Sequence, residues 1–438
     1  MAVLDILHRA VVQVALVGFI CLLATGAYSS LTMMGGGGQG DTTVASIANV
    51  AMSATTAIMG LFSGIVYNYI GPRWSMVLGT AGYVLYVGAL YSYNETHDWP
   101  FVVIAGAILG CGSSLVWTVQ GVVVTTYATE QNRGRYLALY SVIISFVGIL
   151  GGVVPFVMNL TSESSSITSE TYLLFLIVAL TGWTLGFLLV RPSTVCKADH
   201  TYAVSPPNMG WRTELQASVQ LLRSPGILRL LPFMLTCQWY SPYQFDAYNA
   251  ALFTIRTRSL NTLFYRLAGI AGGVFFGCVM DWPRFTIKQR GAGMSITLAV
   301  LWFVTTFGAL FVHLAYAGHG SHALVDVTSG GYWGLCLIYC AWGFADALFN
   351  ALGVWVGGCL NPDPSHMSRY TGFLVGVQSI GSVIAWSLNT AGVPALAQNL
   401  AALVVVTVGL VALTFAVPQV TDTAQGPATK GSLKMGLV

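Results

Sequence analysis

Residues 64–74 read GIVYNYIGPRW, and residues 277–290 read GCVMDWPRFTIKQR. In each, a glycine (Gly64, Gly277) is followed four residues later by an amide or acid (Asn68, Asp281), and then by a basic residue (Arg73, Arg284). The first stretch adds Gly71 directly before its proline. Two shorter stretches pair likewise: NRGRY at 132–136, with Arg133 and Arg135, and SRYTG at 368–372, with Arg369. Each lies at the edge of a long apolar run, so the pairing predicts an internally duplicated chain of membrane helices.

Composition points the same way. The 438 residues include 18 basic and 15 acidic ones, are 8% charged and 55% hydrophobic, and have mean hydropathy +0.72. A soluble chain is about a quarter charged and needs that polar surface to cover its cores. The net charge of +3 and the absence of a basic run longer than RTR argue against a nucleic-acid partner.

Apolar windows fall at 11–31, 44–69, 74–93, 101–126, 136–158 and 171–190, and again at 227–252, 259–280, 292–316, 331–357, 370–390 and 395–418. About 20 apolar residues span a bilayer core, so the expected fold is all-α with twelve transmembrane helices. The first window is too long for a signal-peptide core and is expected to stay as a helix. With the N-terminus in the cytoplasm, 15 of the 18 basic residues fall in inner segments, which follows the positive-inside rule. Both termini are then cytoplasmic. Two glycosylation sequons, at Asn94 and Asn159, land on the outer side of this topology.

Residues 191–226 carry prolines, charges and a short amphipathic stretch near 211–223, and read as a cytoplasmic linker. The chain thus divides into a six-helix bundle at 1–190, the linker, a second six-helix bundle at 227–418 and a polar, disordered tail at 419–438. At the inner face the paired glycines allow close helix packing, while the acid or amide can accept from a neighbouring helix N-terminus or an arginine. Gly64, Asn68, Gly71, Arg73, Arg133, Arg135, Gly277, Asp281, Arg284 and Arg369 are the inner-gate candidates. Ordinary loop capping by topology-setting charges is the alternative.

On these residues the chain resembles the major facilitator superfamily and, more narrowly, its uncoordinated-ninety-three-like branch, especially the fungal-type members. GGGGQ (35–39), NYIGPRW (68–74), GSSLVWTVQG (112–121), NRGRY (132–136), FTIRTRSLN (253–261) and RYTGFLVGVQSIGSVIAW (369–386) carry the resemblance. The chain departs from the superfamily pattern at Asn68, where an aspartate is usual, and this weakens a charge-based latch in the first half. The resemblance implies two pseudo-symmetric six-helix bundles, with a cavity lined mainly by helices 1, 4, 7 and 10. It leaves two roles open, because many members look like orphan transporters and one animal member acts as a trafficking partner for other membrane proteins.

Residues 245–269, FDAYNAALFTIRTRSLNTLFYRLAG, concentrate charge in a chain that otherwise avoids it. Asp246 and Arg266 fall at similar depths, roughly 10 Å below the outer ends of adjacent helices at 1.5 Å rise per residue. An unpaired charge at that depth is costly. The expectation is an Asp246–Arg266 ion pair at an outer gate, with Arg256 and Arg258 at its mouth. Alternatively, Arg266 snorkels to the surface and Asp246 holds a local network.

Polar groups at mid-membrane are site candidates. Asp346, with Asn350 and Trp342 one turn to either side, shares a helical face. Trp117 with Gln120, and Gln238, Tyr243 and Asn249, complete the substrate-binding candidates and suit a hydrogen-bonding organic solute. Asp346 is the leading proton-coupling candidate and Asp246 the second. Simple interhelical bonding for Asp346 and packing for the tryptophans are the alternatives.

Weaker features point to little chemistry. GGGGQG at 35–40 lacks the lysine and hydroxyl of a phosphate loop and reads as a flexible outer loop. His313, His319, His322 and Asp326 read as solvated loop polarity rather than a metal site. Seven of eight cysteines sit in helices and Cys196 in the linker, so no disulfide is expected. Neither a catalytic set nor a cofactor or metal motif is recognisable, and enzymatic function is not expected. The expectation is a monomeric, multi-pass integral protein of the plasma membrane or an endomembrane, a secondary transporter moving a small polar or amphipathic solute by alternating access. The alternative is a non-transporting chaperone or regulator whose partners are other membrane proteins.

Overall fold

The computed structural model describes residues 6–39, 42–129, 131–146, 167–204, 210–317, 324–360 and 363–424. The fold is all-helical. In chain order the main helices are α1 (Ala10–Met33), α2 (Thr43–Thr96), α3 (Trp99–Thr126), α4 (Arg133–Ser145) and α5 (Ser169–Leu188). After a linker holding α6 (Trp211–Leu222) come α7 (Pro225–Thr236), a π-helical segment (Tyr243–Ala250), α8 (Ile255–Met280), α9 (Ile287–Ala317), α10 (Tyr332–Leu360), α11 (Pro364–Thr390) and α12 (Ala395–Ala424).

Among the described residues nine helices are long and apolar enough to cross a membrane, against the twelve windows read from sequence. Two of the three missing spans have local causes, and the fifth window is described only through residue 146. The 54-residue α2 is broken at Gly71 (φ 76°, ψ 177°), a conformation that only glycine adopts easily, and Pro72 follows. Its first arm runs parallel to α3, as the bonds Thr55–Ala107 (2.9 Å) and Ser63–Thr118 (2.8 Å) show. Its second arm runs antiparallel, with Gly79 against Gly112 and Gly82 against Leu109. The two arms are therefore a hairpin folded at Gly71. Residues 225–250 form a short apolar helix followed by a π-helical one, so no single long helix is recorded there.

Boundaries also shift. Residues 147–158 of the fifth window, Asn159, His319, His322 and the tail from 425 onward lie outside the described residues. The last helix continues to Ala424, past the expected start of the tail at 419. The glycine stretch expected to be a flexible loop is instead packed: Gly36, Gly37 and Gly38 are buried. Four successive glycines at 35–38 take positive φ, which lets the backbone turn tightly where a Cβ at Gly35 would meet Ala250 at 2.5 Å.

Candidate functional site

The four paired motifs meet crosswise at the face that carries the linker. Gly64 lies so close to α11 that a Cβ there would stand 2.6 Å from the Ser368 carbonyl oxygen, and Gly60, one turn earlier, faces Gly376 just as tightly. In the other pair Gly277 meets Ala138 and Gly273 meets Ser141 on α4. Each contact joins a helix from the first 190 residues to one from the second part of the chain.

Polar bonds lie beside these contacts. Asp281 accepts from the Gly134 and Arg135 backbone N–H groups (3.0 and 2.7 Å) at the N-terminus of α4, and the Arg135 guanidinium is 3.8 Å away. Burial pushes the Asp281 carboxyl above its ordinary pKa, while these hydrogen bonds oppose the shift. Asn68 accepts from Ser368 (2.8 Å) and donates to Glu214 (3.1 Å). Glu214 sits on α6, is fully buried, and also accepts from Arg369 at 3.0 Å. Arg133 donates to the Gly358 carbonyl (3.0 Å) and Arg73 to the Leu189 carbonyl (2.6 Å). Arg284 is exposed and joins none of these contacts.

At the opposite face Asp246 accepts from Ser46 (3.0 Å), Asn389 (2.8 Å) and the Gly36 N–H (3.3 Å). Asn249 donates to the Met33 carbonyl (3.0 Å) and accepts from Asn261 (3.0 Å). The expected Asp246–Arg266 pair is not formed. Ion pairs among the described residues include Arg135–Asp281, Arg256–Asp326 and Arg369–Glu214. The π-helical backbone around Asp246 alters its phase, so its carboxylate meets Gly36 and Ser46 rather than α8. Arg256 pairs with Asp326, and Arg258 donates to the Phe253 carbonyl (2.9 Å).

Between the two faces lies a cavity of about 250 Å³, lined by helices from both parts of the chain. Trp117, Gln120, Gln238, Asp346 and Asn350 line it, and so does Arg266. Asp346 accepts from Tyr240 (2.7 Å) and from Asn350 (3.0 Å) through the same oxygen, Oδ1. Sequence reasoning missed Gln378 on α11, which also lines the cavity, and Tyr240. Three expected members lie elsewhere. Tyr243 bonds to His313 (2.7 Å) and Asn399 (2.9 Å), Asn249 belongs to the face described above, and Trp342 packs edge-on against Tyr248. His313 is therefore a helix residue paired with Tyr243, not part of a loop cluster. Asn94 bonds through its amide nitrogen, the atom that would carry a glycan, to Ser169 (2.8 Å).

The family model described as ion channel regulatory protein UNC-93 matches residues 47–318. The chain belongs to the UNC-93 family. It is 33% identical to UNC93-like protein 1 of Arabidopsis thaliana over 390 residues, covering 88% of this chain and 85% of that protein. It is likewise 33% identical to an UNC93-like protein of Schizosaccharomyces pombe over 394 residues, covering 88% and 77% of the two chains. Among solved structures it is similar to the fucose:proton symporter FucP of E. coli, with TM-score 0.60 over 94% of this chain and 98% of that one. At 13% identity this likeness shows the fold alone, that of the major facilitator superfamily. A UNC-93 chain with this fold and so many apolar helices is a multi-pass integral membrane protein.

Proposed function

We propose that this UNC-93 family member is a secondary transporter that moves a small polar or amphipathic solute by alternating access. In this reading twelve helices span the membrane in two six-helix halves, 1–190 and 227–418, with the linker and both termini cytoplasmic. The observation that carries it is a cavity with charged and amide groups on a mainly apolar wall, flanked on both sides by bonds between the halves. Asn68–Ser368 and Asp281–Gly134 bridge the linker face, and Asp246–Ser46 and Asn389–Ser46 tie the opposite face. A scaffold has no need of two separable closures around charged residues at mid-membrane. Asp346 is the proton-coupling candidate, because it is the carboxylate lining the cavity among the described residues.

The test uses a cysteine at Gln378 in an otherwise cysteine-free protein, probed with an impermeant maleimide from each side of the membrane. Labelling from both sides is expected. Cross-linking Asn68→Cys to Ser368→Cys should abolish one side and Ser46→Cys to Asn389→Cys the other. Labelling from one side only, or from neither, would sink the reading. A pH-dependent change in thermal stability that is absent in Asp346→Asn is expected if Asp346 couples protons.

The family description favours one other role, regulation of a partner channel. That role is supported if the Gln378 cysteine never alternates while a membrane-protein partner co-purifies with the chain.

A further inference from the structure

Arg266 and Asp346 line the same cavity and interact electrostatically, yet they do not form an ion pair. Arg266 makes no hydrogen bond to the protein among the described residues, and its Nε is buried without a partner. Other arginines behave differently: Arg73, Arg133, Arg256, Arg258 and Arg369 each donate to a named oxygen. Asp346 is half satisfied, since Tyr240 and Asn350 both donate to Oδ1 and Oδ2 accepts nothing. A charge held in a membrane interior with unmatched polar atoms is destabilising, and here a guanidinium without a hydrogen bond and a half-satisfied carboxylate face one space.

We infer that the cavity takes a zwitterionic solute of amino-acid size, its carboxylate received by Arg266 and its cationic nitrogen by Asp346. A guanidinium presents a planar fork of donors matched to a carboxylate, and Asp346 Oδ2 is a free acceptor for an ammonium. A singly charged solute would match only one of these two side chains, and a neutral one would match neither with a charge. The cavity of about 250 Å³ is on the scale of a small-molecule site. Trp117 and Tyr265 on its wall offer an apolar bed for the body and a π-face for the cationic end.

This inference rests on the transporter reading, and its test separates the two. The purified full-length protein is titrated with alanine, leucine and phenylalanine, with N-acetylphenylalanine, with phenethylamine and with glucose, following thermal stability and calorimetric binding. The zwitterions are expected to bind at least about tenfold more tightly than either singly charged analogue or glucose. Arg266→Gln should erase the preference over phenethylamine, and Asp346→Asn the preference over N-acetylphenylalanine. Arg266→Lys, which keeps the charge but not the fork, should bind between the two. Unliganded melting temperatures report whether each variant folds. Wild-type binding of glucose or of a singly charged analogue as tight as that of the zwitterions overturns the inference. So does a wild type that binds none of the probes while the Gln378 cysteine still alternates, which leaves transport standing. Zwitterion binding without alternation keeps the site and removes the transporter reading.

Discussion

Glu214 of the linker helix and Arg369 of α11 meet at 3.0 Å directly beside Asn68, which donates to the same carboxylate oxygen. The usual acid of the first repeat motif is an amide here, and a carboxylate from the linker occupies the gap between that amide and the arginine. The linker is thus part of the closure at its own face. It joins the two parts of the chain by a buried charge as well as by a peptide.

Breaking a buried pair from one side leaves an uncompensated charge, at about 3–5 kcal/mol. Glu214→Gln or Arg369→Gln alone is therefore expected to lower stability toward that range, while the double variant recovers part of the loss. A double-mutant cycle of thermal or denaturant unfolding checks this. Strict additivity would show that the pair carries no coupling.

Gly64 permits a close backbone approach at the same face. A Cβ would face the Ser368 carbonyl oxygen at 2.6 Å, and a backbone atom cannot swing aside as a side chain could. Gly64→Ala is expected to disfavour closure of the linker face by about 1–3 kcal/mol. Labelling of the Gln378 cysteine from the linker side should rise accordingly.

The pair Arg256–Asp326 supplies a pH prediction. Hydrogen bonds from the Arg256 guanidinium hold the Asp326 carboxyl well below the usual carboxylate range. A depressed folded pKa means that the stabilisation is present above the unfolded value of about 3.9 and is lost as pH falls through the folded one. Asp326→Asn should thus lower the melting temperature at neutral pH, and the gap between wild type and variant should begin to narrow as pH falls below about 4. Melting curves across that range check it, and curves that stay parallel would contradict it.

How far these contacts are legible in sequence follows from their range. The glycine-to-acid spacing is local, so the paired motifs can be found by eye. Trp117, Gln120, Asp346 and Asn350 sit on regular helices, where a spacing of three or four residues defines a face, and all four reach the cavity. Tyr243 and Asn249 lie in a π-helical segment, where each bond skips an extra residue and the 3.6 period no longer predicts direction. The depth of Arg266 could be estimated from the rise per residue, but its azimuth could not, and azimuth turned it toward Asp346 rather than Asp246. Glu214 lay on a stretch whose amphipathic pattern was visible, but its partners are 146 and 155 residues away in sequence. No local pattern encodes a contact at that separation.

Asp246 lets the two closures be weighed against each other. Its Oδ2 accepts from both Ser46 and Asn389, and its Oδ1 from the Gly36 N–H, so both oxygens act as acceptors. An amide has one acceptor oxygen and a donor nitrogen, so Asp246→Asn must lose at least one of these bonds and set a donor against another. Each lost charge-assisted bond is worth about 1.5–3 kcal/mol, and the loss falls on the closed state of the face opposite the linker. Labelling of the Gln378 cysteine from that side should increase. Glu214→Gln should increase it from the linker side instead. If the two closures alternate, opening one favours sealing the other, so each variant should also reduce labelling from the far side. Combined, they should return the ratio of the two rates toward that of wild type. A double variant labelled faster from both sides would mean that the two faces open independently, and alternating access would then be the wrong description of how this cavity is reached.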